Sequence, residues 1–186
     1  MKTNRIVLTI VSILTIFAMV ACGATGPKPI ETPAKDINFA VADLGEGYSM
    51  LQETDDIASM GLSSSDPVNS ASMRAFTTDK MDMVVSVVMN AKTAKDADDA
   101  FGDKGLVSTI SNELKGQIPG AEFKEITGLT VGEKTVAFGA EGSMLGNVYM
   151  LVFKKVNIVC VVFVAGQSLD QAGAVEMAKK LEAKIK

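Results

Sequence analysis

The sequence predicts an α+β protein: one domain in which an antiparallel sheet of about six or seven strands carries a mid-chain helix (about 93–117) and a C-terminal helix (about 168–185). Three observations predict it. Several runs alternate apolar with polar side chains at period two, as half-buried strands do. Two later runs, Val148–Phe153 and Ile158–Ala165, are apolar at nearly every position, as central strands covered on both faces are. Beyond residue 168 the apolar side chains recur every three or four positions instead, the period of a helix.

The elements follow in order. Ile37, Phe39 and Val41 alternate and predict a first short strand. Asp43-Leu44-Gly45-Glu46-Gly47 is a turn. Gly45-Glu46-Gly47-Tyr48 is too short to cradle a phosphate, and no strand leads through a glycine-rich loop into a helix, so nucleotide binding is not expected. Tyr48, Met50 and Gln52 continue as a strand. Residues 55–71, rich in Ser, Asp, Gly and Asn, read as a loop with one helical turn around Ile57–Met60. Met73, Ala75 and Thr77 mark the next strand, and Asp79-Lys80 a hairpin turn. Met81, Met83, Val85, Val87 and Met89 then form one wholly apolar strand face that should meet the core.

Thr93 caps the mid-chain helix, with Asp96 in the capping-box place, and Ala97, Ala100 and Phe101 share a face. Gly102 and Gly105 each weaken that helix by about 1 kcal/mol relative to alanine. It resumes through Leu106, Ile110, Leu114 and Ile118 and stops at Pro119-Gly120. Four strands follow: Ala121–Thr127, Glu133–Ala140, Leu145–Lys154 and Asn157–Ala165. The last two are joined by a polar reversal at Lys154-Lys155-Val156-Asn157. In the terminal helix Ser168 and Gln171 make a capping box. Ala174, Ala178, Leu181 and Ile185 form a stripe widened by Val175, and Lys179, Lys180, Lys184 and Lys186 favour the helix dipole. Over roughly 40–186 this order of elements, with its final hairpin and helix, resembles the PsbP-like α+β fold shared by several bacterial surface lipoproteins. Members of that group serve as accessory or binding proteins rather than enzymes, and the resemblance implies such a role here.

The N-terminus carries the most specific signal. Lys2 and Arg5 precede the uncharged run Ile6–Val20, the n-region and h-region of a signal peptide. That run is short for a membrane span, which takes about 20 apolar residues. It ends in Met19-Val20-Ala21-Cys22, which resembles the lipobox of bacterial lipoproteins, with Met19 in place of the commoner leucine. The resemblance implies cleavage before Cys22 and lipid on that cysteine. The expected organisation is therefore a signal peptide over 1–21, the lipidated Cys22 with a flexible linker over 22–36, and a globular domain over 37–186. A proline-rich linker of that length reaches roughly 40 Å at about 3.1 Å per residue. The expected location is the extracytoplasmic side of a cell or outer membrane, held by the lipid.

Composition narrows the rest. Loss of residues 1–21 removes Lys2 and Arg5 and leaves sixteen basic residues against twenty-two acidic ones. Such a chain makes a poor nucleic-acid binder and gains nothing from anionic lipid heads. There is no histidine, which removes most histidine-based nucleophile systems and most zinc sites. Asp96, Asp98 and Asp99, with Asp103 nearby, lack the frame of a calcium loop and read as the solvated first turn of a helix. Asp55-Asp56 with Ser63-Ser64-Ser65-Asp66 offers oxygens for a cation, but a turn-rich loop accounts for the same residues. The eleven methionines, Met50, Met73, Met81, Met83, Met89 and Met150 among them, suit core packing first, a greasy partner surface second and copper(I) least. Cys160 lies mid-strand and reads as a small buried hydrophobe, with Cys22 taken by lipid, so no disulfide is expected.

No catalytic, cofactor-binding or metal-binding residue is assigned and no cofactor is expected; Cys22, as lipid attachment, is the one site residue. The function expected is that of a non-enzymatic binding or accessory protein of the cell envelope. Its partners would be the membrane, an envelope protein or an apolar ligand, and not nucleic acid. The alternative is a carrier of an apolar ligand such as a lipid, held on a sheet face that the helices leave uncovered.

Overall fold

The computed structural model describes residues 27–63, 65–102, 118 and 121–186. The signal peptide, the lipobox, Cys22, the continuation of the mid-chain helix to 117 and the Pro119-Gly120 stop lie outside them. The described elements are α1 (Ala34–Ile37), α2 (Val41–Leu44), β1 (Ser49–Thr54), β2 (Val68–Thr77), β3 (Met83–Ala91), α3 (Ala94–Gly102), β4 (Lys124–Glu125), β5 (Lys134–Ser143), β6 (Gly146–Lys155), β7 (Ile158–Gly166) and α4 (Gln171–Ala183). The seven strands form one antiparallel sheet in the order β1-β2-β3-β7-β6-β5-β4. The fold is thus the α+β class that the sequence predicts.

The central strands bury both faces because both are apolar. All nine residues of β3 and all nine of β7 are buried. One face gathers Met83, Val85, Val87 and Met89 of β3 with Val148, Met150 and Val152 of β6 and Val161 and Phe163 of β7. Ala97 and Phe101 of α3, and Met60, Leu62 and Ile118, pack on it. The other face gathers Val84 and Val88 with Leu151, Phe153, Cys160, Val162 and Val164. It is covered by Ala174, Met177, Ala178 and Leu181 of α4 and by Ile37, Phe39 and Leu44 of the N-terminal segment. Among the described residues no helix is long and apolar enough to cross a membrane.

Four local expectations are corrected. Ile37, Phe39 and Val41 do not form a strand: Ile37 closes α1, Phe39 lies in the extended link, and Val41 opens α2. Ile37 and Phe39 are fully buried, but Asn38 between them is buried too and Val41 is 38% exposed, so burial here follows a bent segment and not the alternation of a pleat. Met81 leaves the core-facing set, because β3 begins at Met83 and Met81 sits in the preceding turn with φ +63 and 83% exposure. Residues 121–127 shorten to the two-residue edge strand β4, and a short edge limits unwanted strand pairing. Asp170, not Ser168, caps α4: its carboxylate accepts the Gly173 N–H at 2.7 Å, and the Ser168 hydroxyl donates to Asp82 instead.

The β6–β7 reversal is a two-residue turn, and Val156 adopts φ +54 there. A β-branched residue in the left-handed region costs roughly 1–2 kcal/mol. Val156→Gly should therefore leave the unfolding free energy unchanged or raise it by up to about 1 kcal/mol, once the larger freedom of glycine in the unfolded chain is subtracted. Denaturant titration checks this, and a loss above about 2 kcal/mol would contradict it.

Candidate functional site

Two asparagines at one end of the sheet fix the incoming N-terminal chain. Asn157, fully buried in the β6–β7 turn, accepts the Ile30 N–H at 2.7 Å through Oδ1. Its Nδ2 donates to the carbonyls of Ile30 (3.2 Å) and Ala91 (2.8 Å) and to Asn90 Oδ1 (2.9 Å). Asn90, at the end of β3, donates to the carbonyls of Ile30 (3.0 Å) and Thr32 (2.9 Å). A buried carboxamide presents two donors and an acceptor with fixed geometry, so this pair grips backbone wherever its own side chains are satisfied. Ile30 packs on the core and Ala34 is fully buried, within the stretch expected as linker.

A second set of contacts holds the same segment further along. Asn38, 1% exposed, donates to Ser72 and accepts from Ser86, also buried, within the apolar face. Arg74 donates to the Phe39 carbonyl (2.6 Å) and pairs with Glu53 (2.8 Å). Lys184, at the end of α4, donates to the Asn38 carbonyl and to Asp43, each at 2.7 Å. The N-terminal segment and the last helix are tied to one another as well as to the sheet.

The acidic residues of α3 are structural. Thr93 Oγ1 accepts the Asp96 N–H (3.1 Å) and donates to the Asp96 carboxylate (2.7 Å). Asp98 receives Lys134 (2.5 Å) and Lys154 (2.9 Å), and Lys154, 4% exposed, also meets Glu133 at 3.2 Å. Asp99 pairs with Lys95. Burial pushes the carboxyls of Asp98 and Asp43 up, but hydrogen bonds and positive charge outweigh it, from Lys134 and Lys154 at Asp98 and chiefly from Lys184 at Asp43. Both sit below the ordinary carboxylate range. A folded value below the unfolded one gives stability that is present above the unfolded value, about 4, and lost as pH falls through the folded value. Thermal unfolding followed from pH 7 to 2 should show a steep acid limb below about pH 4 that is shallower in Asp43→Asn/Asp98→Asn. Parallel limbs would contradict the assignment.

The other candidate ligands close turns. Asp56 Oδ1 accepts the Ala58 N–H (3.1 Å), and Asp66 Oδ2 accepts the Ser63 N–H (2.6 Å) and hydroxyl (3.2 Å). Ser64 and Asp103 lie outside the described residues. Gly45 and Gly47, both at positive φ, shape the turn into β1. Met73, Met83, Met89 and Met150 belong to the core of one sheet face, while Cys160 faces the other, so the thiol does not join the thioethers. Full burial raises the Cys160 thiol far above its ordinary range and keeps it protonated. Among the described residues no three His, Cys, Asp or Glu side chains come together as metal ligands.

One described cleft, of about 530 Å³, lies at the β4 edge and is lined by Glu122, Lys124, Glu125, Glu141, Tyr149 and Gln171 among others. Gly139 makes room for the Tyr149 ring, since a Cβ there would lie 2.8 Å from it. The Tyr149 hydroxyl donates to Glu141 at 3.1 Å. Burial, then the bond to Glu141 and its charge, raise the phenol, which stays protonated. The cleft thus sets three carboxylates against one lysine, beside Ile126 and Ala140, an excess of negative charge that suits donors and cations. Sequence reasoning missed it because its parts come from β4, β5, β6 and the start of α4.

Together these features define an α+β domain with a gripped N-terminal lead. No protein-family model matches the chain, and no curated protein matches it by sequence. Among solved structures the fold is similar to the extracellular domain of PknH from Mycobacterium tuberculosis, with a TM-score of 0.52 at 13% identity over 86% of this chain and 98% of that one. At that identity the likeness speaks to the fold alone.

Proposed function

We propose that this protein is an extracytoplasmic lipoprotein: residues 1–21 are removed, lipid on Cys22 holds it to a membrane, and the domain acts as a non-enzymatic binding or accessory module of the envelope. The observation that carries the reading is the run from Lys2 to Cys22, a charged start, an apolar stretch and a lipobox-like end. Two or more acyl chains on one cysteine anchor a protein stably, where one holds it marginally. The Asn90–Asn157 grip supports the reading, because it gives the tether a firm point of attachment at Ile30. The likeness to a fold that serves PknH as an extracellular domain supports the compartment, and the order of elements supports kinship with PsbP-like surface lipoproteins. The acceptor-lined cleft at β4 favours a protein or polar ligand over the apolar cargo of the alternative reading.

Metabolic labelling with an alkyne fatty acid tests the proposal. The wild-type chain should take the label and fractionate with membranes, and Cys22→Ala should lose the label and at least about tenfold of its membrane association. Unchanged membrane association in Cys22→Ala would overturn it.

A further inference from the structure

The antiparallel register puts the two most exposed apolar side chains of the described residues at the end of the sheet remote from the Asn90–Asn157 grip. Met81 is 83% and Met144 84% exposed, with Leu145 beside it at 36%. Met81 precedes β3, and Met144 and Leu145 precede β6; Asn90 and Lys155 lie at the opposite ends of those strands. Both tips are hydrogen-bonded within the fold. The Met81 N–H donates to the Thr78 carbonyl (2.9 Å), and the neighbouring Asp82 is gripped by Ser168. In the second tip Ser143 Oγ donates to the Gly146 carbonyl (2.7 Å) and accepts the Leu145 N–H (3.2 Å). Gly146, at φ +84, lies so close to the Gly166 carbonyl that a Cβ would fall 2.5 Å from it. The hairpins lie three strand positions apart, about 14 Å at about 4.8 Å per strand. At Met81 a left-handed backbone and an exposed apolar side chain coincide, two costs at one residue, and strain of this kind is retained where function uses it.

We propose that this hairpin end is a docking surface for an envelope protein that presents apolar pockets in a basic rim, with Met81 and Met144 as the inserted side chains. The choice of occupant rests on the lipoprotein reading and on chain length. Eight steps separate Cys22 from the gripped Ile30, at most about 29 Å fully extended. The nine steps along β6 alone span roughly 30 Å at about 3.3 Å each. Tips turned toward the anchoring bilayer would need that tether drawn taut, so they point away from it. Charge selects among the remaining occupants. Exposed Glu46, Asp79, Glu141 and Asp170 flank the tips against Lys80, which disfavours an anionic bilayer and end-to-end pairing with a second, equally acidic copy. Methionine adapts to protein pockets, whereas interfacial membrane contacts favour Trp and Tyr with Lys or Arg.

Site-specific photo-crosslinking of the full chain in its own host tests the surface. A diazirine side chain is placed at Met81, at Met144 or, as a control near the grip, at exposed Lys35. The expected result is one envelope protein, identified by mass spectrometry, linked from 81 and 144 and not from 35. Its yield from 81 should persist in Met144→Leu and fall about tenfold or more in Met144→Asp. Linkage to lipid only, linkage to a second copy only, no product above the control, or equal yields in the Leu and Asp variants would each overturn the proposal. Fractionating the same cells keeps the two readings apart: a chain absent from the membrane refutes the tether, and a membrane-bound chain without tip-specific product refutes the docking surface.

Discussion

Asn157→Ala should lower the unfolding free energy by about 3–5 kcal/mol, the largest effect expected of any single polar substitution in this fold. The side chain is fully buried and bonds the Ile30 N–H and the carbonyls of Ile30 and Ala91, along with Asn90. Its removal strands several of these groups away from water, and each orphaned buried group costs about 1–3 kcal/mol. For a chain of this length the melting temperature should fall by roughly 10 °C or more. The loss should also be local. Residues 30–36 should become susceptible to protease and lose more protection against hydrogen exchange than the doubly buried strands β3 and β7, whose slow amides fall only by the global loss. A shift under about 1 kcal/mol, or uniform loss of protection, would show that the asparagines do not grip the N-terminal segment.

Asp98→Ala should cost about 2–4 kcal/mol, and Asp98→Ala/Lys154→Met should recover most of it. Lys154 is 4% exposed and projects from β6 onto the face that α3 covers, where Asp98 and Glu133 neutralise it. Asp98 is 40% exposed but Lys154 is not, so taking the carboxylate away leaves a buried ammonium that the interior solvates poorly. Glu133 remains in Asp98→Ala, so the loss falls short of that for a wholly unpaired lysine. Methionine restores the volume of the lysine stem without the charge, so the double variant should stand within about 1 kcal/mol of wild type. Equal losses in the single and double variants, measured in one thermodynamic cycle, would mean that the pair does not hold α3 to the sheet.

What was legible in the sequence follows from what the physics makes local. Val148–Phe153 and Ile158–Ala165 could be read as central strands because burial on both faces leaves no polar position along them. The α4 stripe and the Thr93 cap were legible because their partners lie within one helical turn. The grip was not. Asn90 and Asn157 are 67 residues apart, and an asparagine at a strand end reads as a turn residue until the sheet brings the two together. Lys154 reads as part of a polar reversal for the same reason: its partner Asp98 arrives on a different element. Ile37, Phe39 and Val41 read as a strand because three alternating apolar residues cannot separate a pleat from a bent segment, here one that buries Ile37, Asn38 and Phe39 alike and leaves Val41 exposed. The cleft at β4, assembled from four elements, left no trace in any one stretch of sequence.

The measurement that tests the central claim most directly is the intact mass and N-terminal peptide mass of the protein extracted in detergent from its own host's membranes. The account predicts a chain that begins at Cys22 and carries a diacylglyceryl group on the thiol, with or without a further acyl chain on the amine. A chain that begins at Met1, or that carries an unmodified Cys22, would contradict it.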